Sequence, residues 1–330
     1  MSLQDYGLFE EGGRVFRITR PDTPAPWVNY IGNGRLMGLV SHTGGGYTYW
    51  RCPRDSRITR HRYNALPWDR PGRYLYIRNE EGRFWSPTWQ PVPLPLDAYS
   101  CRHSMGWTAI ESGFDGIRAS VLYFVPPDDD VEIWRVRLSE TQGRSRELRI
   151  ISYVELCLGH ALVDLINQPN DQHFNRTHWD SERQILFATK DYWVQYRTAT
   201  VAQPNQAWDR EVFFASSLPV ETFDSRKDTF IGRWRSESDP EGVERGRLRN
   251  TEITAGDACA ALQSSVMLGP GQQMEFTVLL GVVPRGEREA ARRLVDVGRD
   301  PVWVEGELRR VEDWWNGFLE ALEVQTPDPD

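Results

Sequence analysis

The chain contains 330 residues, of which 39% are hydrophobic and 12% aromatic, and it carries a formal net charge of -8 at pH 7. So many apolar side chains exclude a disordered chain, because they need a folded core to cover them. The acidic balance argues against a nucleic acid or an anionic membrane as partner, since polyanions are bound by concentrated basic surfaces. No run of about 18 apolar residues could span a membrane, and residues 1–13 lack the apolar region of a secretory signal. We therefore expect a cytoplasmic protein.

Residues 14–284 are predicted to form short β-strands separated by Gly, Pro, Asn and Asp. Residues 117–125 and 131–138 alternate in polarity on either side of a turn, which indicates an antiparallel hairpin. Further strands are predicted at residues 146–157, 184–189, 193–202, 258–268 and 274–283. So many non-local strands predict an all-β fold in which two large antiparallel sheets pack face to face.

The character of the sequence changes after Pro284, where residues 287–297 and 301–322 have helical periodicity. The second helix carries an apolar stripe, which we expect to be more exposed than a finished domain permits. The stripe consists of Val304, Leu308, Val311, Trp315, Phe318 and Leu322. Residues 324–330 are rich in Pro and Asp, as in a connector. We therefore expect a β-domain at residues 1–284 and a helical linker at residues 285–330 that leads into a further domain.

No pattern in the sequence is typical of a nucleotide, zinc or calcium site, such as GxGxxG, a Walker A loop, HExxH or an EF-hand loop. The four cysteines, at positions 52, 101, 157 and 259, lack the CxxC spacing of a metal site or redox pair. They are expected to be reduced thiols in the core. We predict neither a cofactor nor a bound metal.

Two segments have the composition of a sugar-binding surface. Residues 44–89 combine aromatic, Arg and Asn side chains, which suit pyranose recognition but would equally serve as sandwich core and surface charge. Residues 164–180 are too polar for a core and long enough to reach away from the sheet, either as a functional loop or as a solvated hairpin loop. Glycoside chemistry needs a positioned carboxylic acid. The candidates are Glu155, Asp164, Asp171 and Asp180, and nothing singles one out.

Several sequence blocks occur in an order that resembles a known family. They are TPAPWVNY at residues 23–30, SHTGGGY at 41–47, RHRYN at 60–64, GRY at 72–74, WSPTWQP at 85–91 and CRH at 101–103. The sequence resembles the N-terminal region of inverting disaccharide phosphorylases, the cellobiose and cellodextrin phosphorylase group of glycoside hydrolase family 94. The resemblance extends over roughly residues 9–330.

The resemblance implies a super-sandwich of antiparallel strands, similar to that of galactose mutarotase, then linker helices and an (α/α)6 barrel that lies outside these 330 residues. In the family, the barrel supplies the general-acid Asp and most contacts to phosphate and donor sugar. No catalytic residue is therefore predicted here, and the isolated chain is expected to be inactive. The family's N-terminal domain lies at a homodimer interface, where one loop closes the acceptor-sugar site of the neighbouring subunit. Residues 164–176 match that loop by position, with Asn167, Gln168, Gln172 and Arg176 as predicted substrate-binding residues.

These considerations leave three functional hypotheses. The first is the N-terminal domain of a phosphorylase that cleaves β-linked gluco-oligosaccharides of the cellobiose or cellodextrin type with inorganic phosphate, giving α-glucose 1-phosphate. The second, preferred for the isolated chain, is a non-catalytic module for dimerisation and sugar contact. The third is an aldose epimerase, which needs a paired acid and base. Glu155 with His160 or His173 would supply that pair.

Overall fold

A computed structural model describes residues 3–192 and 207–321 of the chain. These residues form two antiparallel sheets, one of ten strands and one of nine. In chain order the strands are β1 Gly7–Glu10, β2 Val15–Ile18, β3 Val28–Gly32, β4 Leu36–Ser41, β5 Gly46–Trp50, β6 Arg57–Thr59, β7 Tyr74–Asn79, β8 Phe84–Trp85, β9 Ala98–Ser104, β10 Trp107–Phe114, β11 Ile117–Phe124, β12 Val131–Glu140, β13 Arg146–Gly159, β14 Asn175–Asp180, β15 Ile185–Lys190, β16 Arg210–Ser216, β17 Thr222–Arg226, β18 Ala258–Leu268 and β19 Gln273–Pro284.

Six α-helices accompany the strands in the described residues. They are α1 Ala161–Ile166, α2 Gln168–Asp171, α3 Lys227–Ile231, α4 Glu241–Arg245, α5 Arg288–Gly298 and α6 Pro301–Glu320. No helix of the described ranges combines the length and the apolar character that crossing a bilayer requires.

The ten-stranded sheet has the order β1-β2-β9-β10-β11-β12-β19-β16-β15-β14. The predicted hairpin is confirmed as β11 and β12, in which Ile117 lies opposite Glu140 and Phe124 opposite Ile133. The strands predicted near residues 146, 184, 258 and 274 are also present, as β13, β15, β18 and β19. The strand predicted at residues 193–202 falls outside the described residues.

The nine-stranded sheet runs β17-β18-β13-β6-β5-β4-β3, with β7 and β8 paired beside β13. Its long strand β13 pairs with β18, β7 and β6, so it joins the parts of the sheet. The main core lies between the two sheets and includes the fully buried rings of Trp85, Trp134 and Trp208. Alternation of inward and outward side chains along each strand builds this core, as the sequence predicted.

Helices α5 and α6 cover the outer face of the ten-stranded sheet. In α6, Val304, Leu308 and Val311 are buried in one cluster with Leu279 and Val283 of β19. The expected exposure of the apolar stripe is therefore wrong for its first half, because the outer face of β19 is itself apolar and needs a cover. Further along the stripe, the side chain of Phe318 is 62% exposed. Leu322 lies outside the described residues.

Candidate functional site

The polar segment between β13 and β14 is folded into short helices. It consists of α1, α2 and a 3-10 turn at Gln172–Phe174. The segment is not a plain solvated loop, because two of its acids, Asp164 and Asp171, are buried against basic side chains. Buried carboxylates need such partners, so the ion pairs hold the segment on the protein.

His160 starts the segment by capping α1. Its Nδ1 accepts hydrogen bonds from the backbone N–H groups of Leu162 and Val163, at 3.2 and 3.3 Å. Nδ1 is therefore unprotonated, and the ring proton lies on Nε2, which is 3.5 Å from the Asp55 carboxylate. Burial lowers the pKa of His160, despite the attraction of Asp55 for a positive charge. The cap thus depends on a neutral imidazole.

Arg60, which directly follows β6, binds α1. Its Nε and Nη2 donate to the two carboxylate oxygens of Asp164 at 2.9 and 2.8 Å, a bidentate pair. Its Nη1 donates to Asp257 at 2.6 Å and reaches Glu155 at 3.4 Å. The side chain of Arg60 is 4% exposed, so one buried guanidinium ties three acids from separate parts of the chain.

Glu155 of β13 lies at the centre of this network. Its fully buried carboxylate accepts from Arg62 at 2.7 and 2.8 Å and from Lys227 at 3.0 Å. Burial alone would raise the pKa of Glu155, but the charges of Lys227, Arg62 and Arg60 hold it well below its usual range. Glu155 is thus a permanent anion held by cations. The structure does not pair it with His160, which serves as the helix cap.

Lys190 anchors the second half of the segment. Its ammonium group donates to the Asp171 carboxylate and to the carbonyl oxygen of Cys157. Burial raises the pKa of Asp171, although the charge of Lys190 acts against this shift. Lys190 and Lys227 are the two lysines of the whole sequence, and both belong to this network. The two rare lysines are therefore a signal of this network in the sequence, and the predicted site residues do not include them.

The four predicted sugar-binding residues lie along this anchored segment. Asn167 is exposed between α1 and α2, and Gln168 and Gln172 are half-buried. Arg176, on β14, donates to the carboxylate of Asp191 and to the carbonyl oxygen of Thr254. The amides are thus presented on a rigid base, whereas Arg176 already has two partners within the chain.

Exposed apolar side chains accompany the amides. Leu162, Leu165 and Ile166 of α1 are 46%, 44% and 79% exposed. Three adjacent aliphatic groups next to polar amides form a surface with the mixed character of a contact region. Sequence reasoning missed this surface, because the segment was judged by its polar residues alone.

The remaining candidate acid, Asp180, is also held by the fold. Its Oδ2 accepts two hydrogen bonds from Arg292 of α5, at 2.9 and 2.7 Å. The side-chain hydrogen bonds of Arg292 and the backbone N–H groups near Asp180 lower its pKa, against the opposing effect of burial. In the described part of the chain, none of the four candidate acids is placed as a proton donor, because each is bound to a cation.

Comparison with known proteins identifies this architecture. The model of the glycosyl hydrolase 94 supersandwich domain matches residues 14–301. The chain belongs to glycoside hydrolase family 94. The resemblance seen in the sequence blocks is therefore confirmed, together with the super-sandwich fold.

Relatives of this family 94 chain include several phosphorylases. N,N'-diacetylchitobiose phosphorylase of Vibrio furnissii and solabiose phosphorylase of Paenibacillus borealis are each 30% identical to it over 98% of its length. The matched parts are 38% and 40% of those two proteins, so the chain spans about two fifths of their length. Among solved structures, a bacterial glucoamylase complexed with acarbose has a TM-score of 0.53 at 8% identity, covering 94% of this chain and 41% of that one. This likeness concerns the fold alone.

Proposed function

We propose that the chain is the N-terminal domain of an inverting carbohydrate phosphorylase that acts on a β-linked disaccharide or oligosaccharide. Membership of family 94 carries the proposal, and the phosphorylase names of the relatives support it. In the reaction, an oxygen of inorganic phosphate attacks the anomeric carbon while a carboxylic acid protonates the leaving glycosidic oxygen. The products are an α-sugar 1-phosphate and the shortened acceptor.

We assign the chemical step to a domain outside the described residues. A general acid must be protonated at working pH and must reach the glycosidic oxygen. Glu155, Asp164, Asp171 and Asp180 instead each bind a buried or half-buried cation. Residues 1–284 are proposed as the sandwich domain, and residues 285–330 as the helical linker to the catalytic barrel. By itself the chain would then act as a module for sugar contact and dimerisation.

The role that we propose for residues 164–176 is contact with the acceptor sugar of a partner subunit. Amide groups match sugar hydroxyls as donors and acceptors. The ion pairs of Arg60 and Lys190 hold the segment in place before binding, which lowers the entropy cost of recognition. The exposed aliphatic side chains of α1 would be covered in a symmetric dimer, in which each subunit lends its segment to the other.

The sugar itself is the finer part of the proposal. A gluco-oligosaccharide of the cellobiose or cellodextrin type remains our first candidate. The relatives, however, are named for other sugars, among them N,N'-diacetylchitobiose, solabiose and a glucosyl-glucuronide. A panel of these disaccharides and cellobiose, each assayed with phosphate, would identify the substrate of a full-length phosphorylase that carries this domain.

The experiment measures sugar synthesis by such a full-length enzyme. Gln172→Ala and Arg176→Ala should raise the KM for the acceptor sugar about threefold to tenfold, because each removes a hydrogen bond worth roughly 0.5–1.5 kcal/mol. The KM for the sugar 1-phosphate should stay unchanged. Arg183→Ala, which removes an exposed ion pair with Asp296, serves as the matched control.

Two results would contradict the proposal. Unchanged acceptor kinetics in both variants, or a dimer in which the segment faces solvent, would leave it as a structural element only. Release of sugar 1-phosphate by the isolated 330-residue chain, abolished by Glu155→Gln, would instead show that the chain is catalytic by itself.

A further inference from the structure

A cavity lies beside the proline-rich turn that precedes β3, away from the segment described above. Its volume is about 300 Å3, at the small end of the range for ligand pockets. Pro21, Pro24, Pro26 and Pro67 contribute rigid walls, and the half-exposed ring of Trp89 lines it together with Asp69. Pro24, Pro26 and Trp89 belong to the sequence blocks that prompted the resemblance, yet the proposed function does not use them.

Asp69 and Asp224 are two buried acids with one oxygen that lacks a hydrogen-bond partner among the described residues, and of the two only Asp69 lines this cavity. Asp69 is 4% exposed, and no basic side chain of the described residues lies within ion-pair distance of it. Its Oδ2 accepts hydrogen bonds from the hydroxyl groups of Ser41 and Thr43, the latter at 3.0 Å. Its Oδ1 has no hydrogen-bond partner in the described part of the chain. Because buried carboxylates are normally paired, this one requires a specific explanation.

The chain is shaped to bring Asp69 to this place. The backbone N–H of Gly46 donates to the Asp69 carbonyl oxygen at 2.6 Å. A Cβ atom on Gly45 would lie 2.3 Å from Oδ2, so only glycine permits the approach. Trp89, in the block at residues 85–91, has a φ of 70°, a conformation that costs a non-glycine residue energy. Gly45 therefore permits the position of Asp69, and Trp89 has a strained backbone beside the same cavity.

The chemistry of the lining selects the ligand. No Lys or Arg occurs among the described residues that line the cavity. His42 is buried, and this burial lowers its pKa, so the ring is neutral. A phosphate or carboxylate group would thus meet a carboxylate without a compensating cation, which is unfavourable. A neutral hydroxyl group can donate to Asp69 as Ser41 and Thr43 do, while prolines and an aromatic ring pack against the C–H face of a sugar.

We propose that this cavity binds one pyranose ring of a neutral saccharide, with Asp69 accepting a hydrogen bond from a sugar hydroxyl and Trp89 packing against the ring. Because Oδ1 is itself buried, the contact requires the carboxyl group of Asp69 to turn toward the cavity about χ2, a torsion with a broad minimum in Asp. The proposal is independent of phosphorolysis. It can fail while the proposed function holds, and the reverse is also true.

The test uses the 330-residue chain and saturation-transfer NMR with three probes: cellobiose, glucose 1-phosphate and glucosamine. We expect saturable binding of cellobiose and no competition by glucose 1-phosphate. Asp69→Asn should weaken cellobiose binding about tenfold, because a neutral amide oxygen replaces the charged acceptor. Trp89→Gly, which suits the positive φ, should weaken it as well. Asp224→Asn is the matched control, since Asp224 is fully buried, has one oxygen without a hydrogen-bond partner among the described residues and does not line the cavity.

Each other outcome would overturn the proposal. Absence of cellobiose binding at tens of millimolar would remove the site. Equal binding by the wild type, Asp69→Asn and Trp89→Gly would place the sugar elsewhere. Tighter binding of glucosamine than of cellobiose would show that Asp69 is a site for cations, and binding of glucose 1-phosphate would show an anion site. Thermal unfolding of each variant confirms that the folded protein is being compared.

Discussion

Replacing Arg60 with leucine should destabilise the protein strongly, and the structure indicates how much. Arg60 is the one basic side chain of the described residues within ion-pair distance of Asp164, which is 7% exposed. Breaking a buried pair by removing one partner leaves an uncompensated charge and costs about 3–5 kcal/mol. Glu155 and Asp257 lose less, because Lys227 still contacts both. We expect a loss of about 3–5 kcal/mol in the free energy of unfolding for Arg60→Leu.

Urea unfolding followed by tryptophan fluorescence would measure this loss. The matched control is Arg183→Leu, whose exposed pair with Asp296 should be worth less than about 1 kcal/mol. Adding Asp164→Leu to Arg60→Leu should restore stability, because the unpaired carboxylate is then removed as well. The two changes should therefore couple by about 0.5–3 kcal/mol in a double-mutant cycle.

The reasoning would be refuted if Arg60→Leu cost no more than Arg183→Leu. It would also be refuted if the double variant were as unstable as the sum of the single ones. Amide hydrogen exchange provides a local readout, because α1 should lose protection in Arg60→Leu and regain it in the double variant. Loss of protection spread evenly over both sheets would mean that Arg60 supports the sandwich as a whole.

Two further predictions concern helix α1 and the docking of α6. Burial keeps the folded-state pKa of His160 below the ordinary value of 6.5, so the unfolded chain binds the proton first. The stability of α1 should therefore fall as the pH drops below about 6.5. His160→Asn retains a capping acceptor and should remove this pH dependence. Amide hydrogen exchange of α1, corrected for intrinsic exchange rates, measures both effects. Gly106→Ala should weaken the packing of α6, because a Cβ there would lie 2.6 Å from Val311 and Trp315. Gly143→Ala is the control, because Gly143 has a φ of 75°, close to the 80° of Gly106, but has open space where the Cβ would lie. It therefore measures the cost of the positive φ alone. Equal unfolding midpoints for the two variants would contradict the predicted clash.

The strands were predictable because the physical cause of each is local. In β12, Trp134, Val136 and Leu138 are fully buried on one face, as their alternation with polar residues indicated. The same rule failed for the exposure of α6, because the cover over Val304 and Leu308 comes from the outer face of β19. Helical periodicity shows that a helix has an apolar side but not what lies against it.

The conformation of the candidate site was less accessible to sequence reasoning. From the sequence, Asp164 and Asp171 lie in a polar run that fits either a functional loop or a solvated hairpin loop. Their burial depends on Arg60, which is distant in sequence, and on Lys190, which lies on strand β15. No local pattern encodes such pairings. The scarcity of lysine could still have drawn attention to Lys190 and Lys227. The contact of the segment with sugar stays a prediction.

The pairing of β12 with β19 has a consequence for biosynthesis. The middle of the ten-stranded sheet cannot form until residues 273–284 have been synthesised, because they pair with residues 131–140. At about 5–20 residues per second, the ribosome needs roughly 7–30 s to make the intervening stretch of about 140 residues. During that time β12 presents an unpaired edge rich in apolar side chains, the kind of edge that recruits other chains. We expect the nascent protein to depend on chaperones in this interval, and slower translation between these two strands to lower the soluble yield.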